Sequence, residues 1–228
     1  MQKQGVWPYL ALFTVNLAYG LNFVIAKDVM PEYIRPSGFI LLRVAGTVLL
    51  FWLLHSFYPG EKIRREDLPR LIAGGLFGVA ANQLLFFAGL NLSTPINASI
   101  VMTATPITVL LMGFIFLRER ITVSKAAGVL IGAGGAVILI VFSRGGGDFS
   151  SRTALGNLFV MLNAFSYAIF LIISKPLMKK YQPLTVIKWV FLFGLAFVIP
   201  FGTGELAAVK WNTFPPDILW KTVFILRG

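Results

Sequence analysis

Long apolar runs alternate with short polar loops along almost the whole chain. Each of seven runs has about the 20 mainly apolar residues that a helix needs to cross a bilayer, and charges, prolines and glycines collect between the runs. The pattern predicts seven transmembrane spans, numbered one to seven in chain order: 7–26, 38–57, 71–90, 96–117, 123–142, 155–174 and 184–201. We expect Lys175 and Pro176 to end the sixth span. An eighth apolar run begins near Ile218.

Composition supports a chain that lies mostly in lipid. Hydrophobic residues make up 57% and charged residues 13% of the 228 residues, against roughly 45–50% and 25% in soluble proteins. The first run could pass for a signal peptide, but Asn16, Tyr19 and Asn22 interrupt it and it shows no clear cleavage site. The predicted fold class is therefore an all-α, multi-pass integral membrane bundle.

The basic residues indicate how the chain is oriented. The formal net charge of +11 is spread over short loops, where it reflects cytoplasmic bias and anionic lipid rather than nucleic-acid binding. With the N-terminus in the cytoplasm, eleven Lys and Arg residues fall on the cytoplasmic side and five on the other. We expect a cytoplasmic N-terminus, a location in the plasma or inner membrane, and membrane lipid as a partner.

The sequence offers no constellation for catalysis or for metal or cofactor binding. Cysteine is absent and His55 is the single histidine, so neither thiolate nor zinc chemistry is indicated. The GGGD run at 145–148 lacks the Lys-Ser/Thr of a phosphate-binding loop. We therefore expect no enzyme, no cofactor and no metal site.

An internal repeat is indicated when the chain is slid on itself by 148 residues. The end of the first span then falls on the end of the sixth, with four identical pairs: Tyr19 and Tyr167, Lys27 and Lys175, Met30 and Met178, Tyr33 and Tyr181. Because five helices per repeat is an odd number, the second half enters the membrane from the opposite side, an inverted repeat found in many secondary transporters. We expect a first repeat at 1–143 and a partial second repeat at 155–228. On this prediction about seven and a half of ten helices are present, and a complete chain has about 296 residues, twice the offset.

One segment carries a family resemblance. Residues 88–140 read AGLNLSTPINASIVMTATPITVLLMGFIFLRERITVSKAAGVLIGAGGAVILI: a short polar link, a central threonine-proline pair, an exit into R-E-R-hydrophobic-T, and a helix rich in Gly and Ala. This pattern strongly resembles the end of the first repeat in EamA-type transporters of the drug/metabolite transporter superfamily. The resemblance implies a ten-helix inverted-repeat fold, a membrane location, and export or exchange of small metabolites.

Polar residues inside the spans are candidates for lining a substrate cavity near the middle of the membrane, because they need a partner or water there. The candidates are Asn16, Tyr19, Asn22, Asn82, Thr105, Pro106, Asn163 and Tyr167. For Tyr19 and Tyr167, hydrogen bonding between helices is the alternative. Asn82 and Gln83 are adjacent and point about 100° apart, so we expect at most one of them to reach the cavity.

Two stripes of the fourth span lie roughly opposite each other at about 100° per residue. One contains Thr105 and Thr108, and the other contains Thr103 and Pro106. The sequence does not decide which stripe faces a cavity. Pro106 predicts a kink near the middle of the span, which serves either as a gate or as a packing feature.

Arg43 and Lys188 each lie a few residues inside a span. A cation within the membrane is a candidate contact for an anionic group. The alternative is that both side chains snorkel to the interface. The sequence alone favours snorkelling, and leaves the anion contact as the second interpretation.

Glycines at GxxxG spacing occur in two spans: Gly74 with Gly78, and Gly128 with Gly132. Such pairs allow close approach of a neighbouring helix. We expect helix packing at both pairs. Homodimerisation through the second pair is a further interpretation.

These features predict a secondary transporter of small organic metabolites, amino acids or related compounds among them, that works by alternating access across the cytoplasmic membrane. The alternative is a noncatalytic membrane scaffold or an inactive truncated relative of a transporter. A membrane-embedded enzyme has no support, because no nucleophile with a base and no metal cluster is apparent.

Overall fold

The computed structural model describes residues 7–30, 32–57, 61–118, 122–142 and 150–227. Within these ranges the chain forms helices and contains no strand. The ten α-helices are α1 Trp7–Val29, α2 Pro36–Ser56, α3 Leu68–Gly75, α4 Ala81–Leu92, α5 Pro95–Met102, α6 Thr105–Leu117, α7 Val123–Phe142, α8 Ser151–Lys180, α9 Pro183–Ala207 and α10 Pro216–Arg227.

Five helical segments of the described chain are long and apolar enough to cross a membrane. They are Pro36–Leu54, Arg65–Leu92, Pro95–Phe116, Ser151–Lys180 and Pro183–Ala207. These segments correspond to predicted spans two, three, four, six and seven and confirm the all-α, multi-pass membrane class. The predicted first and fifth spans coincide with α1 and α7, although many of their side chains lie outside the described residues.

The third span is one continuous helical path with a bulge in its middle. Between α3 and α4, residues Leu76–Ala80 form a π-helical turn, and the backbone N–H of Ala81 donates to the carbonyl of Leu76, five residues back. Such a turn inserts one extra residue into an α-helix and is frequent at functional sites. The bulge lies beside the cavity described below.

The fourth span is two helices rather than one kinked helix. α5 ends at Met102, a turn covers Thr103 and Ala104, and α6 begins at Thr105. Pro106 therefore stands in the first turn of α6, where the missing backbone N–H has no intrahelical partner to lose. The disturbance expected from Pro106 lies two to three residues before it, at Thr103 and Ala104, in the turn that a proline's ring crowds.

The sixth span continues past its predicted end. α8 includes Pro176 and stops at Lys180, so the expectation that Lys175 and Pro176 end the helix was wrong. A proline in a helix removes a single ladder bond, and the last turn is held from outside: Lys180 Nζ lies 2.5 Å from Asp67 Oδ2 and 2.8 Å from Glu66 Oε1. These contacts stabilise the C-terminal end of the helix.

The antiparallel pair of α2 and α9 forms the most extensive helix contact of the described chain, and α8 packs across α4 and α6. Phe39, Ile40 and Val44 of α2 and Val198 of α9 are fully buried and belong to the hydrophobic core. Gly202 permits this approach, since a Cβ there would lie 2.5 Å from Leu41 Cβ.

A glutamate from near the C-terminal end of each helix in this pair caps the N-terminus of the other helix. Glu205 Oε2 in α9 accepts from the backbone N–H groups of Ser37 and Gly38 at 2.8 and 3.0 Å. Glu61, shortly after α2, accepts from the N–H of Gln182 at 2.7 Å. All three bonds satisfy donors that a helix start leaves unpaired.

Candidate functional site

A cavity of about 470 Å³ opens between α2, α4, α8 and α9, with the break between α5 and α6 on one side. Its volume is within the range of small-molecule sites, about 300–1,000 Å³. The polar lining residues are Arg43, Asn82, Gln83, Thr105, Asn163 and Tyr167. Aromatic rings supply much of the remaining wall: Phe86, Phe87, Phe170 and Phe191. The cavity thus combines apolar walls with a few convergent polar groups.

Five residues singled out from the sequence meet at this cavity, although they come from four different spans. They are Asn82, Thr105, Asn163 and Tyr167 from the substrate-cavity candidates, and Arg43 from the anion candidates. The stripe of the fourth span with Thr105 and Thr108 faces the protein, because Thr108 is buried whereas Thr103 and Pro106 are exposed. The question that the sequence left open is settled for the described residues.

Three candidates of the first span are not placed by the structure. The backbone of α1 is described, but the side chains of Asn16, Tyr19 and Asn22 lie outside the described residues. Cavity lining by these three side chains stays a prediction.

Pro106 does not line this cavity. It borders a separate groove of about 280 Å³ between α6 and α7, together with Gly128 and Gly132. The reason is the helix break: α6 restarts at Thr105 with that residue turned inward, which leaves Pro106, about 100° further round, on the outer face. The cavity role expected for Pro106 is therefore not supported by its position.

Both Asn82 and Gln83 line the cavity, so the expectation that only one of them would do so was wrong. The cavity is wide enough to take two adjacent rows of α4 and the π turn, one through Gly78 and Asn82 and the other through Val79 and Gln83. Residues four apart lie on the same helix face, so two such rows cover a broad arc. The lining by Gln83 was missed because cavity width cannot be obtained from the periodicity of one helix.

Arg43 brings a positive charge to the cavity wall. Its guanidinium carbon lies 5.7 Å from the ring centroid of Phe87, within the range of a cation–π contact. Phe87 is fixed in turn by edge contacts with Phe39 and Phe86, at centroid distances of 5.4 and 5.1 Å. Arg43 lies seven residues after the start of α2, about 10 Å along the helix. This contact places the side chain at the cavity wall, and snorkelling of Arg43 stays a prediction.

Lys188 faces away from the cavity. Its neighbours Ile187, Val190 and Phe191 line the wall, which turns Lys188 toward the C-terminal end of α2. There its ammonium lies 4.4 Å from the ring centroid of Trp52 and 5.7 Å from that of Trp189. The residue is only 5% exposed. It is therefore packed on aromatic rings at the α2–α9 seam, a position that does not support the anion contact in the cavity, the second interpretation of this residue.

Two side chains of α8 hold the bulged third span against the cavity. Asn163 Nδ2 donates to the carbonyl oxygen of Asn82 at 2.7 Å, and Ser166 Oγ donates to the carbonyl oxygen of Phe77, inside the π turn, at 2.6 Å. Both side chains are buried, where a hydrogen bond to an otherwise underused backbone oxygen is favourable. Asn163 was a candidate from the sequence, whereas its partner, the carbonyl oxygen of Asn82, was not.

The glycine pairs differ. A Cβ at Gly78 would lie 2.4 Å from Phe170 Cδ2, and one at Gly74 would lie 3.1 Å from Val190 Cγ2. These two glycines pack against α8 and α9. Apart from the nearby backbone of α7 itself, no described atom lies within 4 Å of a Cβ built at Gly128 or Gly132, so the packing expected there is not seen among the described residues.

One end of the bundle is tied by charged and hydroxyl side chains. Asp67 Oδ2 accepts from Lys180 Nζ and from the hydroxyl of Tyr181, the latter at 2.7 Å. The Tyr181 oxygen accepts from the backbone N–H of Arg64 at 3.1 Å. These contacts join the start of α3 to the end of α8, and hence the two predicted repeats.

At the opposite end of the bundle, a lysine side chain caps backbone carbonyl groups at the end of α4. Lys27 Nζ donates to the carbonyl oxygens of Leu90, Asn91 and Ser93 at 2.8, 2.9 and 2.9 Å. These carbonyls belong to the end of α4, which an α-helix leaves without intrahelical partners. A cation is also favourable there because of the helix dipole. The repeat alignment drew attention to Lys27, but its role as a cap could not be obtained from sequence.

Among the described residues, no group of three or more His, Asp or Glu side chains is arranged to hold a metal ion. The cavity offers a small solute a positive charge, amide groups and aromatic surface. The structure thus defines a multi-pass helical membrane protein with a partly polar cavity between its helices.

Comparisons with known proteins narrow this class. Residues 6–141 match the EamA-like transporter family, which is more than half of the chain, and the protein belongs to that family. This agrees with the resemblance seen at 88–140.

Two relatives and one solved structure illustrate the match. An uncharacterized transporter of Archaeoglobus fulgidus is 32% identical over 195 residues, covering 86% of this chain and 66% of that protein. A WAT1-related protein of Arabidopsis thaliana is 29% identical over 210 residues, covering 80% of this chain and 52% of its own length. A crystal structure with 18% identity covers 92% of this chain and 72% of its own, with a TM-score of 0.63; it is similar in fold. The chain thus spans from about half to two thirds of the length of these two relatives.

Proposed function

We propose that this protein is a secondary transporter of small organic metabolites, amino acids or related compounds among them. The observation that carries the proposal is the cavity of about 470 Å³ within the bundle of membrane-length helices. Arg43 offers a contact for a carboxylate, and the aromatic rings offer surface for an apolar portion of the solute. Membership of the EamA-like transporter family supports the same function.

The proposed mechanism is alternating access between two inverted halves, the first at 1–143 and the second beginning at 155. The reciprocal glutamate caps of α2 and α9 support an inverted relation between the halves, since each half supplies the same kind of contact to the other. The Asp67–Lys180–Tyr181 cluster joins the two halves at one end and would then be made and broken during transport. Transport of this kind needs no covalent chemistry, and the protein is proposed not to be an enzyme.

The protein is proposed to act in the cell membrane with its N-terminus in the cytoplasm. The ends of α2, α6 and α8 would then face the cytoplasm, the side that carries most of the loop Lys and Arg residues. Membrane lipid and the solute are the proposed partners. Homodimerisation through the exposed Gly128 and Gly132 face stays a prediction.

Flux measurements in proteoliposomes test the transport function. The purified protein is reconstituted and supplied with radiolabelled amino acids and small carboxylates, with protein-free liposomes as the background. We expect saturable flux of at least one solute, strongly reduced by Arg43→Gln and unchanged by Lys210→Gln, which alters an exposed loop. If folded native protein gives no flux above background for the whole panel, the transport function is wrong.

A further inference from the structure

Lys188 is a buried cation that lies close to the lipid-facing side of the bundle. The residue is only 5% exposed, and its ammonium lies 4.4 Å from the ring centroid of Trp52. Trp52 itself is 41% exposed, and Leu49 and Leu53 of the same helix are 73% and 60% exposed. This part of α2 therefore faces the hydrocarbon, and the cation lies about one aromatic ring behind that surface.

The surroundings of Lys188 differ from those of the other lysines that the structure describes with a known partner. Lys27 donates to three carbonyl oxygens, and Lys180 contacts two carboxylates. Within the described residues, the contacts found for the Lys188 ammonium are with the rings of Trp52 and Trp189. A charge in a membrane segment is costly unless it is paired or reaches water, and ring contacts offset only part of that cost.

The ammonium of Lys188 can be reached from outside the chain. Its nitrogen is not among the fully enclosed polar atoms that lack a hydrogen-bond partner, so it keeps some accessible surface. Lys188 lies five residues after the start of α9, which has 25 residues, and is thus about 8 Å from the end of a helix about 38 Å long. Because the hydrocarbon core is only about 30 Å thick, this depth is near the boundary between acyl chains and headgroups.

The rings beside Lys188 form a continuous aromatic surface. Trp52 and Trp189 meet edge to face with centroids 5.9 Å apart, and Trp189 stacks on Phe193, also at 5.9 Å. Tryptophan favours the level of the headgroups, and basic pockets between membrane helices bind anionic headgroups. A cation flanked by such rings on a lipid-facing surface suits a ligand that is anionic at one end and apolar at the other.

We propose that the seam of α2 and α9 at Lys188, Trp52 and Trp189 binds an anionic phospholipid of the leaflet at this end of the bundle. The lipid phosphate lies against the Lys188 ammonium, and the acyl chains run along the exposed face of α2 that carries Leu49 and Leu53. The phosphate supplies the counter-charge that the rings do not. This site is separate from the solute cavity and does not depend on the proposed transport function.

Matched lipids test the proposal. The purified full chain in an uncharged detergent is titrated with phosphatidylglycerol or with phosphatidylcholine of the same acyl chains, and apparent affinities are obtained from the rise in melting temperature. We expect the native protein to bind phosphatidylglycerol at least about fivefold more tightly, the ratio that corresponds to one lysine at a membrane surface. Inorganic phosphate and glycerol 3-phosphate, which have no acyl chains, should give no comparable rise.

Variants assign the preference to the lysine. Lys188→Gln removes the charge and keeps most of the side chain, so we expect it to bind the two lipids equally. Lys188→Arg keeps the charge and should keep the preference. Lys179→Gln is the matched control, because it removes an exposed lysine near the end of α8, at the same end of the bundle, and should leave the preference unchanged.

Three results would overturn the proposal. Equal binding of both lipids by the native protein would show that the seam does not select an anion, and this comparison stands even where Lys188→Gln does not fold. An equal loss of preference in Lys188→Gln and Lys179→Gln would mean that diffuse surface charge attracts the lipid. A rise with inorganic phosphate as large as that with phosphatidylglycerol would assign the site to a soluble anion.

Discussion

Two glycine pairs with the same spacing have opposite surroundings. Gly74 and Gly78 in the third span are enclosed by Val190 and Phe170, whereas Gly128 and Gly132 in α7 face open space in the described chain. GxxxG spacing gives a helix a face that a neighbour can approach closely. Whether a neighbour is present, and which one, depends on the rest of the fold.

The enclosed pair lies where the cavity is built. The third span approaches α8 closely enough for Ser166 and Asn163 to bond its backbone at 2.6 and 2.7 Å, which bulky side chains at the glycines would prevent. The π turn, the polar clamp and the small residues occur together on one segment. Among the described residues, no such set of contacts is seen at the open pair. The difference predicts that alanine substitutions at the two sites will have very different effects.

The largest effect is expected at Gly75, next to the enclosed pair. A Cβ there would lie 2.7 Å from both the backbone nitrogen of Gly194 and Phe193 Cβ. Backbone atoms cannot turn aside, so α3 and α9 would have to separate. For Gly75→Ala we expect a loss of about 1–3 kcal/mol or more in the free energy of unfolding, measured by denaturant unfolding in detergent. A loss no larger than that of an exposed Gly→Ala variant would show that the helices are not held this closely.

A smaller effect is expected at Gly78. Its Cβ would meet the ring of Phe170 at 2.4 Å, and a side-chain ring can rotate where backbone cannot. For Gly78→Ala we expect a loss of about 1 kcal/mol, near the low end for overpacking. Because Phe170 lines the cavity, solute affinity should change as well. An unchanged affinity in the variant would mean that this wall does not contact the solute.

The smallest effect is expected at Gly128. Since nothing of the described chain lies within 4 Å of its Cβ, Gly128→Ala should leave the melting temperature unchanged or raise it, because alanine favours a helix over glycine by about 0.5–1 kcal/mol. Self-association of the same variant is compared with the native protein by cross-linking in liposomes. A marked loss of stability in the monomer would show that this face is packed after all. A loss of self-association alone would support the predicted homodimer.

The hydrophobic pattern predicted the spans well because lipid requires an apolar run of fixed length whatever the helix packs against. It failed where local geometry depends on neighbours. Pro176 did not end α8, because its last turn is held by contacts with Asp67 and Glu66, far away in sequence. The fourth span broke before Pro106 rather than at it.

For the candidate site, the polar type of a residue indicated that it lies inside the bundle, but its position along the span did not indicate whether it faces the cavity. Arg43, Asn82, Asn163 and Tyr167 were found because polar groups within the membrane need an inward-facing partner. Lys188 had the same signal and turned out to lie against Trp52 and Trp189, because a rotation of about 100° per residue separates it from the cavity face. Only the packing of α9 against α2 decides that rotation.

The cysteine-free sequence allows one direct measurement of whether solute occupies the cavity. Thr105→Cys places a thiol in the cavity wall, and Thr103→Cys places one on the exposed opposite face as the matched control. The rate of maleimide labelling is measured for each variant with and without a solute that the protein carries. The cavity account predicts that saturating solute slows labelling of the Thr105→Cys variant and leaves the Thr103→Cys variant unaffected. Equal labelling of the Thr105→Cys variant with and without that solute, in protein that still carries it, would contradict the central claim.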